Sequence, residues 1–259
     1  MSVQAPSSLN RIMWGSSLPV LVFLAWEATS RAGLISPASF SKPSSIGQAW
    51  LTAIGDGSLV EQTLQTLTSA MFALAIAVVI GIGFGVLIGL SRAVAGTTSL
   101  TIEILRPIPS VALIPLSLLI FGFGYQMSAT VAAFASVWPI LIMTSASIRT
   151  TEPTLKEIGV LLQLSYAQRL FKVVLPAVAP GVMVGVRLAV AISIVVVITT
   201  EIVANPMGLG YGIIIAQQSL QTDLVWATLI WIGCVGWFIN YVVLAAEKYW
   251  LSWYWESRT

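Results

Sequence analysis

The sequence predicts an all-α integral membrane protein of about six transmembrane helices, with both termini on the cytoplasmic side. Three observations carry that prediction. Of 259 residues, 57% are hydrophobic and only 8% are charged. A soluble domain carries roughly a quarter charged residues, so this chain has too few to cover a water-facing surface. The apolar residues gather into stretches of about 20, the length needed to cross a bilayer. The lysines and arginines then fall overwhelmingly on one side of the predicted bundle, which orients it.

Six spans follow in order. The first runs from Trp14 to Arg31; Arg11 precedes the apolar run Ile12 to Ala28 and no small-x-small site clearly follows, so an uncleaved helix is expected rather than a signal peptide. A Ser/Pro-rich stretch from Ser36 to Ser45 leads to an amphipathic segment, Ile46 to Ile54. That segment suits either the membrane surface or the protein's own loops. The second span is Leu67 to Gly89. Gly81, Gly85 and Gly89 share one of its faces, a stripe that permits close helix packing within the subunit or at a dimer face. The third span, Ile102 to Phe121, is interrupted by Pro107, Pro109 and Pro115; the fourth, Ala129 to Ile148, contains Pro139. The fifth is Val182 to Val203 and the sixth Leu224 to Ala246, separated by an outer segment, Asn205 to Asp223, with no basic residue. With the N-terminus inside, Arg11, Arg92, Arg149, Lys156, Arg169, Lys172, Lys248 and Arg258 face the cytoplasm, against Lys42 and Arg31 outside. One domain is expected over 1–259: an N-terminal helix and periplasmic amphipathic segment over 1–60, and a core over 61–259. Trp14, Trp50, Trp250, Trp253 and Trp255, near helix ends, read as interfacial anchors.

The chemistry available is narrow. There is no histidine, and Cys234 is the single cysteine, so histidine-based acid–base catalysis, an internal disulfide framework and a thiolate metal cluster are excluded within the sequence. No metal site and no catalytic residue is expected. The net charge of +2 comes from scattered basic residues, which gives no nucleic-acid face.

Charges inside the predicted spans are costly and usually face a bundle interior or a watery path. Glu103 and Arg106 stand three apart on one helical face, where they could pair, and Arg187 could snorkel to the cytoplasmic interface; for all three an ion pair or snorkelling is favoured over substrate contact. Glu201, near the outer end of the fifth span, suits either a gate or helix-end packing. Pro107 and Pro109 suit a kinked helix beside a path.

The longest polar segment, Arg149 to Pro180, reads RTTEPTLKEIGVLLQLSYAQRLFKVVLPAVAP. Leu155, Ile158, Leu161 and Leu162 recur at helical spacing. The pattern predicts a helix, a break near Leu164 to Tyr166, and a second amphipathic helix ending at Pro176.

Glu157-Ile158-Gly159, Leu164-Ser165, Leu175-Pro176 and Pro180 in this segment resemble the EAA loop of binding-protein-dependent ABC importer permeases. Ile158 and Gly159 stand where that loop has two alanines, and Gln163 where it has the glycine of the turn. Two further stretches are similar to the nitrate, sulfonate, taurine and bicarbonate branch of the family: Glu103-Ile104-Leu105-Arg106-Pro107-Ile108-Pro109 with Phe121-Gly122-Phe123-Gly124, and Thr200-Glu201-Ile202-Val203-Ala204 with Gly208-Leu209-Gly210-Tyr211-Gly212.

The resemblance implies a permease subunit with a cytoplasmic coupling helix between helices 4 and 5, bearing Glu157, Ile158, Gly159, Gln163, Leu164, Ser165, Leu175 and Pro176. The charges and prolines within the predicted spans suggest a translocation path or gate near Glu103, Arg106, Pro107, Pro109 and Glu201. The resemblance also implies a second permease copy, identical or similar, two ATP-binding cassette subunits that bind ATP and magnesium, and a periplasmic or lipid-anchored solute-binding protein. The expected location is the bacterial inner membrane, and the expected solute a small anion such as nitrate, a sulfonate or bicarbonate, or a small organic acid. No nucleotide-binding loop of the Gly-rich Lys-Ser/Thr type is present in the sequence. The competing reading is an ion-coupled secondary transporter working without an ATPase.

Overall fold

A computed structural model describes residues 8–36, 39–151 and 161–250, with side chains described from Leu18 onward except Pro19. Among these residues every regular element is helical. The helices are α1 (Ser8–Arg31), α2 (Pro43–Gly55), α3 (Ser58–Leu90), α4 (Arg92–Leu105), α5 (Ile114–Phe121), α6 (Tyr125–Arg149), α7 (Leu175–Val203), α8 (Gly208–Gln218) and α9 (Thr222–Trp250). Four helical stretches, containing α3, α6, α7 and α9, are long and apolar enough to cross a membrane, and a bent pair can supply a fifth span.

That pair corrects the expected third span. Instead of one helix from Ile102 to Phe121, α4 ends at Leu105, and a 3-10 turn (Ser110–Leu113) leads into α5. The two arms are bent by 84°. Pro107 and Pro109 mark the break: each lacks an N–H to continue the helical ladder, and the chain leaves helical geometry at Pro109, whose ψ is 115°. A second correction concerns Asn205 to Asp223, expected as loop, which contains α8. Its run Gly208–Gln218 is too short to span, so span-length hydropathy misses it.

The chain divides into two compact units. The smaller takes the described part of Met1–Val60 together with Gly212–Trp231. In it, Glu27 pairs with Arg31 and accepts hydrogen bonds from the Ser44 N–H (3.1 Å) and hydroxyl (2.9 Å). Those bonds tie α1 to the start of α2. Trp26, Phe40 and Trp226 form an aromatic cluster, and Trp226 donates its indole N–H to Ser39. Before α3, the Ser58 N–H donates to Asp56 and holds that carboxyl below its ordinary range.

The larger unit, Glu61–Tyr211 with the described part of Ile232–Thr259, is built around α6. On one side the glycine stripe of α3 meets it: a Cβ on Gly81 would fall 2.8 Å from the Cβ of Ile140, on Gly85 2.6 Å from that of Thr144, and on Gly89 2.8 Å from that of Ile148. The stripe therefore packs within the subunit. Gly83, off the stripe, has nothing within 4 Å. On the other side α7 approaches through Gly181, against Ser147, and Gly185, against Pro139 and Ile140. The Ser136 hydroxyl donates to the Ala189 carbonyl at 3.2 Å between the two helices. Small residues and interhelical hydrogen bonds are what hold apolar helices together where no hydrophobic force separates lipid from leucine.

Candidate functional site

Two regions of the larger unit carry most of the residues singled out from the sequence. The first joins α6 to α7. Glu157, Ile158 and Gly159 lie outside the described residues. From Leu161 onward the path is clear. Gln163 adopts φ +51°, the left-handed region, so it takes the backbone conformation that a glycine adopts freely and other L residues resist. Leu164 follows without regular structure. Ser165 then caps the next turn: its hydroxyl accepts from the Gln168 N–H (3.3 Å), and the Gln168 side chain accepts from the Ser165 N–H (3.0 Å). This reciprocal arrangement is a capping box.

Beyond it the expectation fails in an informative way. The second amphipathic helix does not end at Pro176. A helical turn (Tyr166–Arg169) passes into a π-helical segment (Leu170–Val174), which continues directly into α7 with Leu175 and Pro176 as its first residues. Pro176 has no N–H to give and crowds the preceding turn; the wider π turn absorbs both faults without breaking the helix. Val174 and Val178 then bury against Ile148 at the end of α6.

The second region lies at the opposite end of α7. Glu201 is 2% exposed. Its Oε2 accepts from the Thr66 hydroxyl of α3 (2.9 Å) and from the Gly210 N–H (3.0 Å). Thr66 in turn accepts from the Leu209 N–H at 2.9 Å, and Gln65 from the Gly208 N–H at 2.8 Å. Gly208 has φ +84°, and any Cβ there would enter the Glu201 carboxylate. Glu201 is thus a packed helix-end residue that ties α7, α3 and the start of α8 together.

Asn205, not singled out as a site residue, belongs to the same end. Its amide donates to the Ser128 hydroxyl (2.8 Å) and to the Gly124 carbonyl (3.2 Å), and its oxygen accepts from the Gly124 N–H (3.1 Å). Those bonds fix the Phe121–Gly124 turn, where Gly122 and Gly124 have φ +69° and +130°. An asparagine directly after a spanning run was the signal available in the sequence.

Glu103, Arg106, Pro107 and Pro109 are exposed. The expected Glu103–Arg106 ion pair does not form: the bend begins immediately after Arg106, and among the described residues the one ion pair between side chains is Glu27–Arg31. Glu103 instead lines an open cleft of about 530 Å³ with Ser99, Ser145 and Arg149. Arg149 also donates to the Ile88 carbonyl at the end of α3. No group of side chains suited to a metal ion occurs among the described residues.

Comparison with known proteins agrees with this architecture. The family described as binding-protein-dependent transport system inner membrane component matches residues 77–250. The bicarbonate transport system permease protein CmpB of Synechococcus elongatus is 33% identical over 75% of this chain and 70% of its own length. The taurine transport system permease protein TauC of Escherichia coli is 27% identical over 92% of this chain and 88% of its own. The nitrate import permease protein NrtB of Leptolyngbya laminosa is 27% identical over 73% and 67% respectively. Among solved structures, an inward-facing MetNI methionine ABC transporter chain superposes with a TM-score of 0.64 at 20% identity, covering 71% of this chain and 92% of that one; it attests the fold.

Proposed function

The chain belongs to the binding-protein-dependent transport system inner membrane components, and from that premise we propose which of its parts couple, which carry the solute, and which solute class it serves. The chain is a multi-pass membrane permease subunit of an ABC importer of the sulfonate, taurine, bicarbonate and nitrate branch, and not its ATPase. Membership of this family displaces the ion-coupled alternative.

The coupling element is the segment from Glu157 to Pro176, presented to the cytoplasm and seated in a groove of a partner ATPase by helix-in-groove recognition. The observation that carries this reading is the unbroken passage from the Ser165 capping box through the π turn into α7. A knob on a flexible tether would move without consequence. One fused to a 29-residue helix transmits its displacement along that helix, which is packed on α6 and tied to α3 at its far end. ATP binding would close two ATPase subunits and tilt α7 through this connection, and hydrolysis would reset it, an alternation of rigid elements.

Around this lever we place six spans with both termini inside, in the bacterial inner membrane. Two permease copies, identical or similar, enclose the path, as two-fold assembly commonly arranges. A periplasmic or lipid-anchored binding protein delivers the solute, a small anion of the kind named for the relatives. Glu103, Arg106 and the Pro107–Pro109 bend border the path at the α4 end; Glu201 holds the opposite end closed by fixing α7 to α3. ATP and magnesium belong to the partner subunit. Affinity purification of the permease tests the coupling assignment: an ATPase subunit should co-purify with the wild type and be lost with Glu157→Arg. Retention of the ATPase by that variant, at equal permease yield, contradicts it.

A further inference from the structure

A pocket of about 210 Å³ opens where the first turns of α3 meet Tyr125, the first residue of α6, and Met207, just before α8. All of it lies within the larger unit. Its α3 wall is one helical face: Glu61, then Leu64 and Gln65, then Thr68 and Ser69. The neighbouring networks hold these walls in place. Gln65 accepts from the Gly208 N–H at 2.8 Å, beside the bonds that fix Glu201, and Tyr125 follows Gly124, which Asn205 fastens. The Tyr125 ring packs on Phe72, with centroids 5.2 Å apart, yet the residue stays 43% exposed.

Hydrogen-bond capacity along the α3 wall is lopsided. The Thr68 hydroxyl spends its hydrogen on the Leu64 carbonyl (2.7 Å) and the Ser69 hydroxyl on the Gln65 carbonyl (3.2 Å), so both oxygens retain only lone pairs. Gln65 commits an amide hydrogen to Glu61 (3.2 Å) and its oxygen to Gly208. The remaining donors are the Tyr125 hydroxyl and one Gln65 hydrogen, and among the described residues no lysine or arginine lines the pocket. Acceptors stand in two sets, the Glu61 carboxylate and the Thr68 and Ser69 oxygens, about 11 Å apart along the axis of α3. No single ammonium reaches both. The Tyr125 ring belongs to the second set, since its neighbour Phe72 stands one turn beyond Thr68. Leu64 lies between the sets, with Met207 carried there by the Gln65–Gly208 bond. A carboxylate in the first turn of a helix is favoured by the helix dipole whatever it faces; that accounts for Glu61 and not for the acceptors two turns farther along. We propose that this pocket binds a linear organic diamine. One ammonium meets the Glu61 carboxylate, and the methylene stem crosses Leu64 and Met207. The other ammonium gives its N–H groups to Thr68 and Ser69 and lies against the face of Tyr125. A small anion, the solute class proposed above, finds no cation here, so the site stands apart from that reading.

Calorimetry on the purified full-length permease in neutral detergent, together with the subunits that co-purify, tests this without needing transport. Cadaverine should bind. Pentylamine, with one head, and ethylenediamine, too short to reach both sets, should each bind several-fold more weakly, and pentanesulfonate should not compete. Glu61→Gln keeps an acceptor for Gln65 at an exposed position and should weaken cadaverine by about tenfold or more. Tyr125→Leu should weaken cadaverine and leave pentylamine unchanged, whereas Tyr125→Phe, which keeps the ring, should bind both as the wild type does. Wild-type cadaverine affinity in Glu61→Gln, equal affinity for cadaverine and pentylamine, or no binding of any amine overturns the site. Displacement of cadaverine by pentanesulfonate also overturns it, in favour of a pocket for the imported anion.

Discussion

Single residues in this chain do work that their chemistry, more than their charge, explains. Glu201 is a carboxylate near a span end, and its two donors, the Thr66 hydroxyl and the Gly210 N–H, come from segments far apart in sequence. Removing the acceptor leaves both donors buried, each worth about 1–3 kcal/mol. Glu201→Ala should therefore lower stability by about 2 kcal/mol or more in a denaturant titration of the purified subunit, whereas Glu201→Gln, which keeps an acceptor, should cost much less. Equal losses in the two variants would show that charge, not acceptance, matters. Gln163 makes a complementary case. Its φ of +51° costs about 1–2 kcal/mol in an L residue. Gln163→Gly should thus keep or strengthen ATPase co-purification, while Gln163→Val, β-branched and poorly suited to positive φ, should weaken it. The reverse order would mean that the side chain, not the turn, is recognised. The sequence marked both positions, Glu201 as a charge in an apolar run and Gln163 as a glycine replaced. It was silent on Thr66, 135 residues from Glu201, because nothing local distinguishes a threonine that reaches a distant carboxylate.

At the scale of elements, the spans were the most legible part. Span-length apolarity located α3, α6, α7 and α9, because hydrocarbon imposes the same length on each. The four-residue glycine period foretold a close approach, and α6 supplies its partner in Ile140, Thr144 and Ile148. Gly85→Ala would place a Cβ 2.6 Å from that of Thr144, overpacking that costs about 1–3 kcal/mol. Gly83→Ala meets nothing within 4 Å and should be neutral or mildly stabilising, since alanine is the better helix former. Thermal unfolding of the two variants should separate them; coincident curves would remove the close-packing account. What sequence reasoning missed at this scale has a common cause. The prolines at 107 and 109 announce a break but not its 84° angle, and Leu175-Pro176 suggests a helix end where a π turn allows continuation. Proline removes a hydrogen bond in every context, and the neighbouring turns decide whether the chain stops, bends or widens.

Within the larger unit, α7 is held at both of its ends. One end is the capped turn from Gln163 to Gln168, continuous with α7 through the π segment; the other is the Glu201 network that fastens α7 to α3. Joined by one helix, they would, on the reading proposed above, carry a push at the turn along α7 to its far end. Family resemblance anticipated the turn, and the connection to α7 came from the structure alone. The claim is tested most directly by placing a photo-crosslinking amino acid at Gln163 in the membrane-embedded transporter and irradiating it with and without ATP. A covalent adduct with the ATP-binding subunit, formed from the cytoplasmic side, is the predicted result. An adduct only with periplasmic proteins, or none with any ATP-hydrolysing subunit in a complex that still imports solute, would contradict the account.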